Sequence, residues 1–102
     1  MKTEVMLNLT RSGLNEPVFH SPQYVYILAC NDGTYYVGCT SNLEERLNRH
    51  SNGWVPATKA RLPVKIEMYL VFGDKFQAFS FEKYLKSGSG RAFSIRHLIL
   101  TK

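Results

Sequence analysis

The stretch that most narrows the fold runs from Tyr24 to Gly38 and reads YVYILACNDGTYYVG. Two strand-like runs, rich in tyrosine and β-branched residues, flank Asn-Asp-Gly, the composition of a tight hairpin loop. Loop length decides which side chains share a face, because side chains alternate along a strand. A two-residue loop at Asp32 and Gly33 sets Tyr26 opposite Cys39 and puts Tyr26 and Tyr36 on opposite faces. A three-residue loop of Asn31, Asp32 and Gly33, a type I turn with Gly33 in the left-handed region, sets Tyr26 opposite Gly38 and Leu28 opposite Tyr36. Both tyrosines then share one face, and Val25, Ile27, Ala29 and Val37 gather on the other as an apolar side. This register is chemically cleaner and is the expected one. It separates Cys30 from Cys39 and so argues against a disulfide, leaving two reduced thiols. Gly38, facing Tyr26, marks either a place where something approaches closely or a bulge or strand end.

Beyond the hairpin, SNLEERLNRHSNG carries helix punctuation at both ends, with Ser41 and Glu44 at capping-box spacing. The basic loop WVPATKARLPVK follows. IEMYLVFG reads as a third strand. DKFQAFSFEKYLKS reads as a helix stopped by Gly88, and SGRAFSIRHLIL as a last short helix capped by Ser89. The expected architecture is α+β: a small, three-stranded, mostly antiparallel sheet flanked by helices. Residues 1–22, with Pro17 and Pro22 as breakers, are expected to form a loosely held arm before a domain at 23–102.

The chain has 102 residues, enough for one domain with a real core, and 44% of them are hydrophobic. No apolar run approaches the ~20 residues of a membrane span. The first residues interrupt any signal-like stretch with Glu4 and polar breaks. A cytoplasmic protein without membrane contact is expected. The net charge of +5 favours a polyanionic partner, with nucleic acid foremost. The cysteines and the three histidines, at 20, 50 and 97, lack zinc-site spacing.

Two charged residues sit on apolar stripes. Leu43, Arg46, Leu47 and His50 fall at helical spacing on one face, so Arg46 borders the packing surface. There it either snorkels outward or holds its fork towards a carboxylate or phosphate. Ala78, Phe81, Glu82 and Leu85 share a face of the next helix. A carboxylate there needs an ion-pair partner, water, or a hard metal ion at a solvent-reaching edge. Lys59, Arg61 and Lys65 in the basic loop are either surface charge or phosphate contacts. Trp54, just before that loop, either packs on the core or stacks on an exposed base.

Taken in order, YVY at 24–26, YVG at 36–38, Arg46 ten residues after Tyr36 and Glu82 thirty-six after Arg46 resemble the GIY-YIG nuclease family, in particular its small single-domain bacterial members. The resemblance covers Tyr24 to about Leu100. Tyr24 stands in place of the motif's first glycine, Cys39 follows YVG where some members carry a basic residue, and no asparagine follows Glu82. Ser94 and His97 are the polar candidates for that last place.

The resemblance implies a metal-dependent DNA endonuclease acting on a phosphodiester bond, with repair or recombination as the expected setting. It implies Tyr26 as general base with a lowered pKa, Tyr36 positioning water or phosphate, and Arg46 stabilising transition-state charge. Glu82 would hold one Mg²⁺ or Mn²⁺, and His50 would assist. Gly38, Lys59, Arg61 and Lys65 are the expected DNA-contacting positions. The alternatives are a non-catalytic DNA-binding module of the same fold and an interaction module for another acidic partner.

Overall fold

A computed structural model describes residues 22–99. The expected arm at 1–22 lies outside the described residues but for Pro22. Three antiparallel strands form one sheet in the order β2-β1-β3, from β1 (Gln23–Cys30), β2 (Tyr35–Thr40) and β3 (Val64–Phe72). Helix α1 (Leu43–Ser51) and a 3-10 turn at Lys59–Arg61 separate β2 from β3. Helices α2 (Lys75–Leu85) and α3 (Gly88–His97) close the described chain. The architecture is the expected α+β sheet with flanking helices.

The three-residue loop is the one formed. Cys30 N–H donates to the Thr34 carbonyl at 2.9 Å and Gly33 N–H to the Cys30 carbonyl at 3.0 Å, with Gly33 at φ +85°. Asp32 accepts from both the backbone N–H and the hydroxyl of Thr34, which holds its carboxyl below the usual range. Tyr26 pairs with Gly38 and Leu28 with Tyr36, as the cleaner register requires. Cys30 and Cys39 are both free thiols.

Strand β1 is central, with both edges paired, and elements also cover both its faces, so Val25 to Leu28 are all buried. One face packs Val25 and Ile27 against Ala78 and Leu85 of α2 and Ile99 after α3, ringed by Phe72, Phe81 and Phe93. The other face carries the Tyr26 and Leu28 side chains and, near Tyr26, His50 of α1 and Thr58. β2 and β3 are the edges.

Three expected helix boundaries move. Asn42, not Ser41, caps α1: its side chain accepts from Glu45 N–H at 3.1 Å. The Thr40 hydroxyl accepts from Asn42 N–H, which carries the chain one residue further before the helix begins. Helix α2 ends at Leu85, and Gly88 opens α3 instead of stopping α2. Ser87, not Ser89, caps α3 by accepting from Gly90 N–H. The reason is the packing of Gly90: a Cβ there would lie within 1.8 Å of the Tyr84 carbonyl oxygen. Only a glycine already inside α3 lets that helix back so closely onto the last turn of α2. β3 also starts earlier than expected, at Val64. Among the described residues no helix is long and apolar enough to cross a membrane.

Candidate functional site

The two motif tyrosines project from the same sheet face, their ring centroids 6.3 Å apart. Tyr26 is completely buried and Tyr36 half-buried. The Tyr26 ring lies over the backbone of Gly38, where any Cβ would come within 2.4 Å of Tyr26 Cζ and Oη. Gly38 is therefore needed, but the close approach is made by Tyr26. Gly38 is buried beneath that ring and offers DNA no surface, which corrects its assignment as a DNA contact.

Helix α1 delivers the next group. His50, in its last turn and fully buried, meets the tyrosine face. His50 Nε2 lies 2.8 Å from Tyr26 Oη, and Nδ1 lies 2.8 Å from the Thr58 hydroxyl. The His50 ring also stands edge-on to Tyr36, at 5.2 Å between centroids. The result is a buried chain, Tyr26–His50–Thr58, with Tyr36 on its outer side. Burial, aided by the charge of Arg46, holds the imidazole below its ordinary value of 6.5 and so keeps it neutral.

Burial also dominates at Tyr26, pushing the phenol up to about 12. The nearby Arg46 guanidinium solvates and attracts the phenolate but does not offset the burial, and Tyr36 and Glu82 add to the rise. This corrects the expectation of a lowered tyrosine pKa: a cation beside a fully buried phenol loses to desolvation.

Arg46 and Glu82 come from different helices yet act on the same groups. Both perturb Tyr26 and both perturb Cys39 on the edge strand β2. Glu82 belongs to α2, on the far face of the sheet. It is half-buried and pairs with Lys86, Oε2 to Nζ at 3.0 Å. The Lys86 ammonium in turn stands 6.0 Å from the centre of the Tyr36 ring. Tyr26, Tyr36 and His50 thus form one packed group, and Lys86 links Glu82 to its Tyr36 side.

The basic loop divides. Lys59 and Lys65 are exposed. Arg61 is bonded inward: Nε and Nη2 donate to the Ala57 carbonyl at 3.2 and 3.0 Å, and Nη1 donates to the Thr34 hydroxyl. Its backbone carbonyl accepts from Asn31 N–H. Arg61 thus staples the loop to the hairpin turn, a structural role beside its expected one as a DNA contact. Trp54 is 62% exposed, which decides against core packing.

Thr58 and Lys86 were not singled out by sequence reasoning. Lys86, at i+4 from Glu82, carried a usable signal; Thr58 carried none, since a threonine in a loop reveals nothing of a histidine eight residues earlier. Among the described residues no cluster of three or more His, Cys, Asp or Glu side chains could hold a metal ion. Glu82 alone still fits Mg²⁺, which commonly binds through one or two carboxylates with water and substrate phosphate supplying the rest.

A family model described as the GIY-YIG catalytic domain matches residues 22–95. A UPF0213 protein of Bacillus licheniformis is 44% identical over 64 residues, 62% of this chain and 66%, just under two thirds, of that one. A UPF0213 protein of Streptococcus agalactiae serotype V is 40% identical over 72 residues, 70% of this chain and 82% of that one. The solution NMR structure of a UPF0213 protein from Bacillus halodurans superimposes with a TM-score of 0.49 at 29% identity, over 74% of this chain and 83% of that one.

Proposed function

The chain belongs to the GIY-YIG family, and on that premise we propose that it is a divalent-metal-dependent endonuclease that hydrolyses a DNA phosphodiester bond. The observation that carries the reading is the buried Tyr26–His50 hydrogen bond with the second motif tyrosine, Tyr36, packed against both rings. The net charge of +5 suits a polyanionic substrate. DNA intermediates of repair or recombination are the proposed setting.

When bound, Mg²⁺ or Mn²⁺ on Glu82 would stabilise charge at the phosphate and the leaving oxygen. The protein's own groups manage the proton and the phosphate. Tyr26 stays protonated at neutral pH, so it can accept a proton from water only as it gives up its own. His50 Nε2, neutral and 2.8 Å away, is the acceptor. We assign the tautomer in which His50 Nδ1–H donates to the Thr58 hydroxyl, which leaves the Nε2 lone pair facing Tyr26. The water proton passes to Tyr26 Oη, the Tyr26 proton to His50, and the hydroxide attacks phosphorus. The leaving oxygen takes its proton from solvent. Tyr36, at the more exposed side, positions the water. Burial first, and the Arg46 charge second, depress the His50 pKa in the free protein; a phosphate that matches the Arg46 charge eases the second of these and favours proton transfer to His50. Arg46 meanwhile stabilises negative charge on the phosphate in the transition state.

The test is incubation of the protein with flap, junction, nicked and linear duplex DNA in Mg²⁺, Mn²⁺ or EDTA. Metal-dependent cleavage is expected, with Tyr26→Phe, Arg46→Ala and Glu82→Ala each lowering the rate about a hundredfold or more while the fold survives. Binding without cleavage of any substrate in either metal would transfer the reading to a non-catalytic DNA-binding module.

A further inference from the structure

A cavity of about 530 Å³ opens beside this site, between β2 and α3. Its volume is within the range of small-molecule clefts, about 300–1,000 Å³. Three observations bear on what it takes. Ile27, Val37, Leu85 and Ile99 give it an apolar lining. Its charged lining is entirely basic, from Arg61, Lys86 and Arg91. And Ser94, only 5% exposed, contributes a buried Oγ with no hydrogen-bond partner among the described residues. A helical serine can bond back to the carbonyl one turn earlier, and this one does not. A buried hydroxyl left unpaired is costly, and in a pocket it awaits a polar ligand atom.

An anion alone would have no use for the apolar lining, and an apolar ligand none for the cations. A nucleotide matches all three: phosphate for the cations, a flat base for the apolar wall, and a polar base edge for the hydroxyl. Arg61 is held by Thr34 and Ala57, so Arg91 and Lys86 are the cations with donors to offer. The cavity also shares two residues with the surroundings of the site. Tyr36 lines it while contacting His50, and Lys86 lines it while pairing with Glu82. A base inside a duplex is stacked and paired and cannot enter such a recess.

We propose that this cavity is a subsite for one unpaired nucleotide next to the scissile phosphate, its phosphate on Arg91 and Lys86 and its base edge on Ser94 Oγ. The proposal rests on the nuclease reading for the word substrate, and makes the substrate class DNA with an unpaired nucleotide, as at a flap, gap or frayed nick.

The test separates the two. Amide NMR shifts are followed as the metal-free protein is titrated with deoxynucleoside 5′-monophosphates, with the unphosphorylated deoxynucleosides, and with inorganic phosphate. Monophosphates should move the resonances of Val37, Leu85, Ser94 and Ile95 at concentrations where phosphate and the bare nucleosides do not. Ser94→Ala removes only a hydroxyl that is unpaired in the free protein, so it should fold normally and bind a preferred monophosphate about tenfold more weakly. Arg91→Ala should weaken all monophosphates alike. Shifts produced equally by inorganic phosphate would overturn the proposal in favour of a simple anion patch. So would undiminished binding of all four monophosphates by Ser94→Ala, or no shifts at all. Monophosphate binding in a protein that cleaves no DNA would uphold the subsite and sink the nuclease reading instead.

Discussion

Gly38→Ala should damage the site more than a one-carbon change suggests. The new Cβ would fall 2.4 Å from Tyr26 Cζ and Oη, whereas ordinary contact begins at 3.4 Å, so the ring end must retreat by about 1 Å. Tyr26 is completely buried, so the retreat must displace packed neighbours such as His50. Overpacking of this kind costs about 1–3 kcal/mol. A loosened 2.8 Å bond to the buried His50 adds about 1 kcal/mol or more. Removing a flexible glycine from a strand returns roughly 0.5–1 kcal/mol. The net loss should be about 1–3 kcal/mol, read as a lower urea midpoint at unchanged slope. Nicking should fall by about a hundredfold, because a misplacement of roughly 1 Å in a catalytic group has that effect. The control is Tyr26→Leu, which lacks the ring end. In that background Gly38→Ala should cost little or even stabilise, giving a coupling of about 1 kcal/mol or more across the double-mutant cycle. A Gly38→Ala protein with wild-type midpoint and rate would refute the seating of the ring on Gly38. So would an equal penalty with and without the Tyr26 ring.

Three further outcomes are expected. As pH falls below 6.5 the unfolded chain should take up a proton that buried His50 resists, so stability is complete above that pH and declines below it; urea midpoints from pH 8 to 5 should show the decline, and His50→Gln should flatten it. At the alkaline end the unfolded tyrosine ionises near 10.0 and Tyr26 near 12, so stability should fall across that interval, and less so in Tyr26→Phe. In the basic loop, Lys59→Ala and Lys65→Ala should each reduce the salt slope of DNA binding by about one, while Arg61→Ala should chiefly lower the melting temperature, a division that a salt titration and a thermal scan would expose or contradict.

The hairpin was legible in the sequence because its information is local. Asn31-Asp32-Gly33 sets the loop, the loop sets the register, and alternation then puts Tyr26 and Tyr36 on one face whatever surrounds them. The helical stripes were legible for the same reason: Arg46 and His50 stand one turn apart, and the burial of His50 follows from its place on that stripe. Helix ends were read only to within a residue or two, since Ser41 or Asn42 could cap α1 and the choice depended on Thr40. What no local pattern held was the balance of long-range contacts. The ionisation of Tyr26 depends on how completely α1 and the loop at Thr58 cover it, and burial there outweighs the guanidinium that sequence reasoning had counted on. Arg61 and Lys59 look alike in a basic run, yet only Arg61 meets Thr34, twenty-seven residues away. Gly38 announced a close approach correctly and left its partner open, because a missing side chain shows that space is needed and only the packed fold shows that Tyr26 fills it.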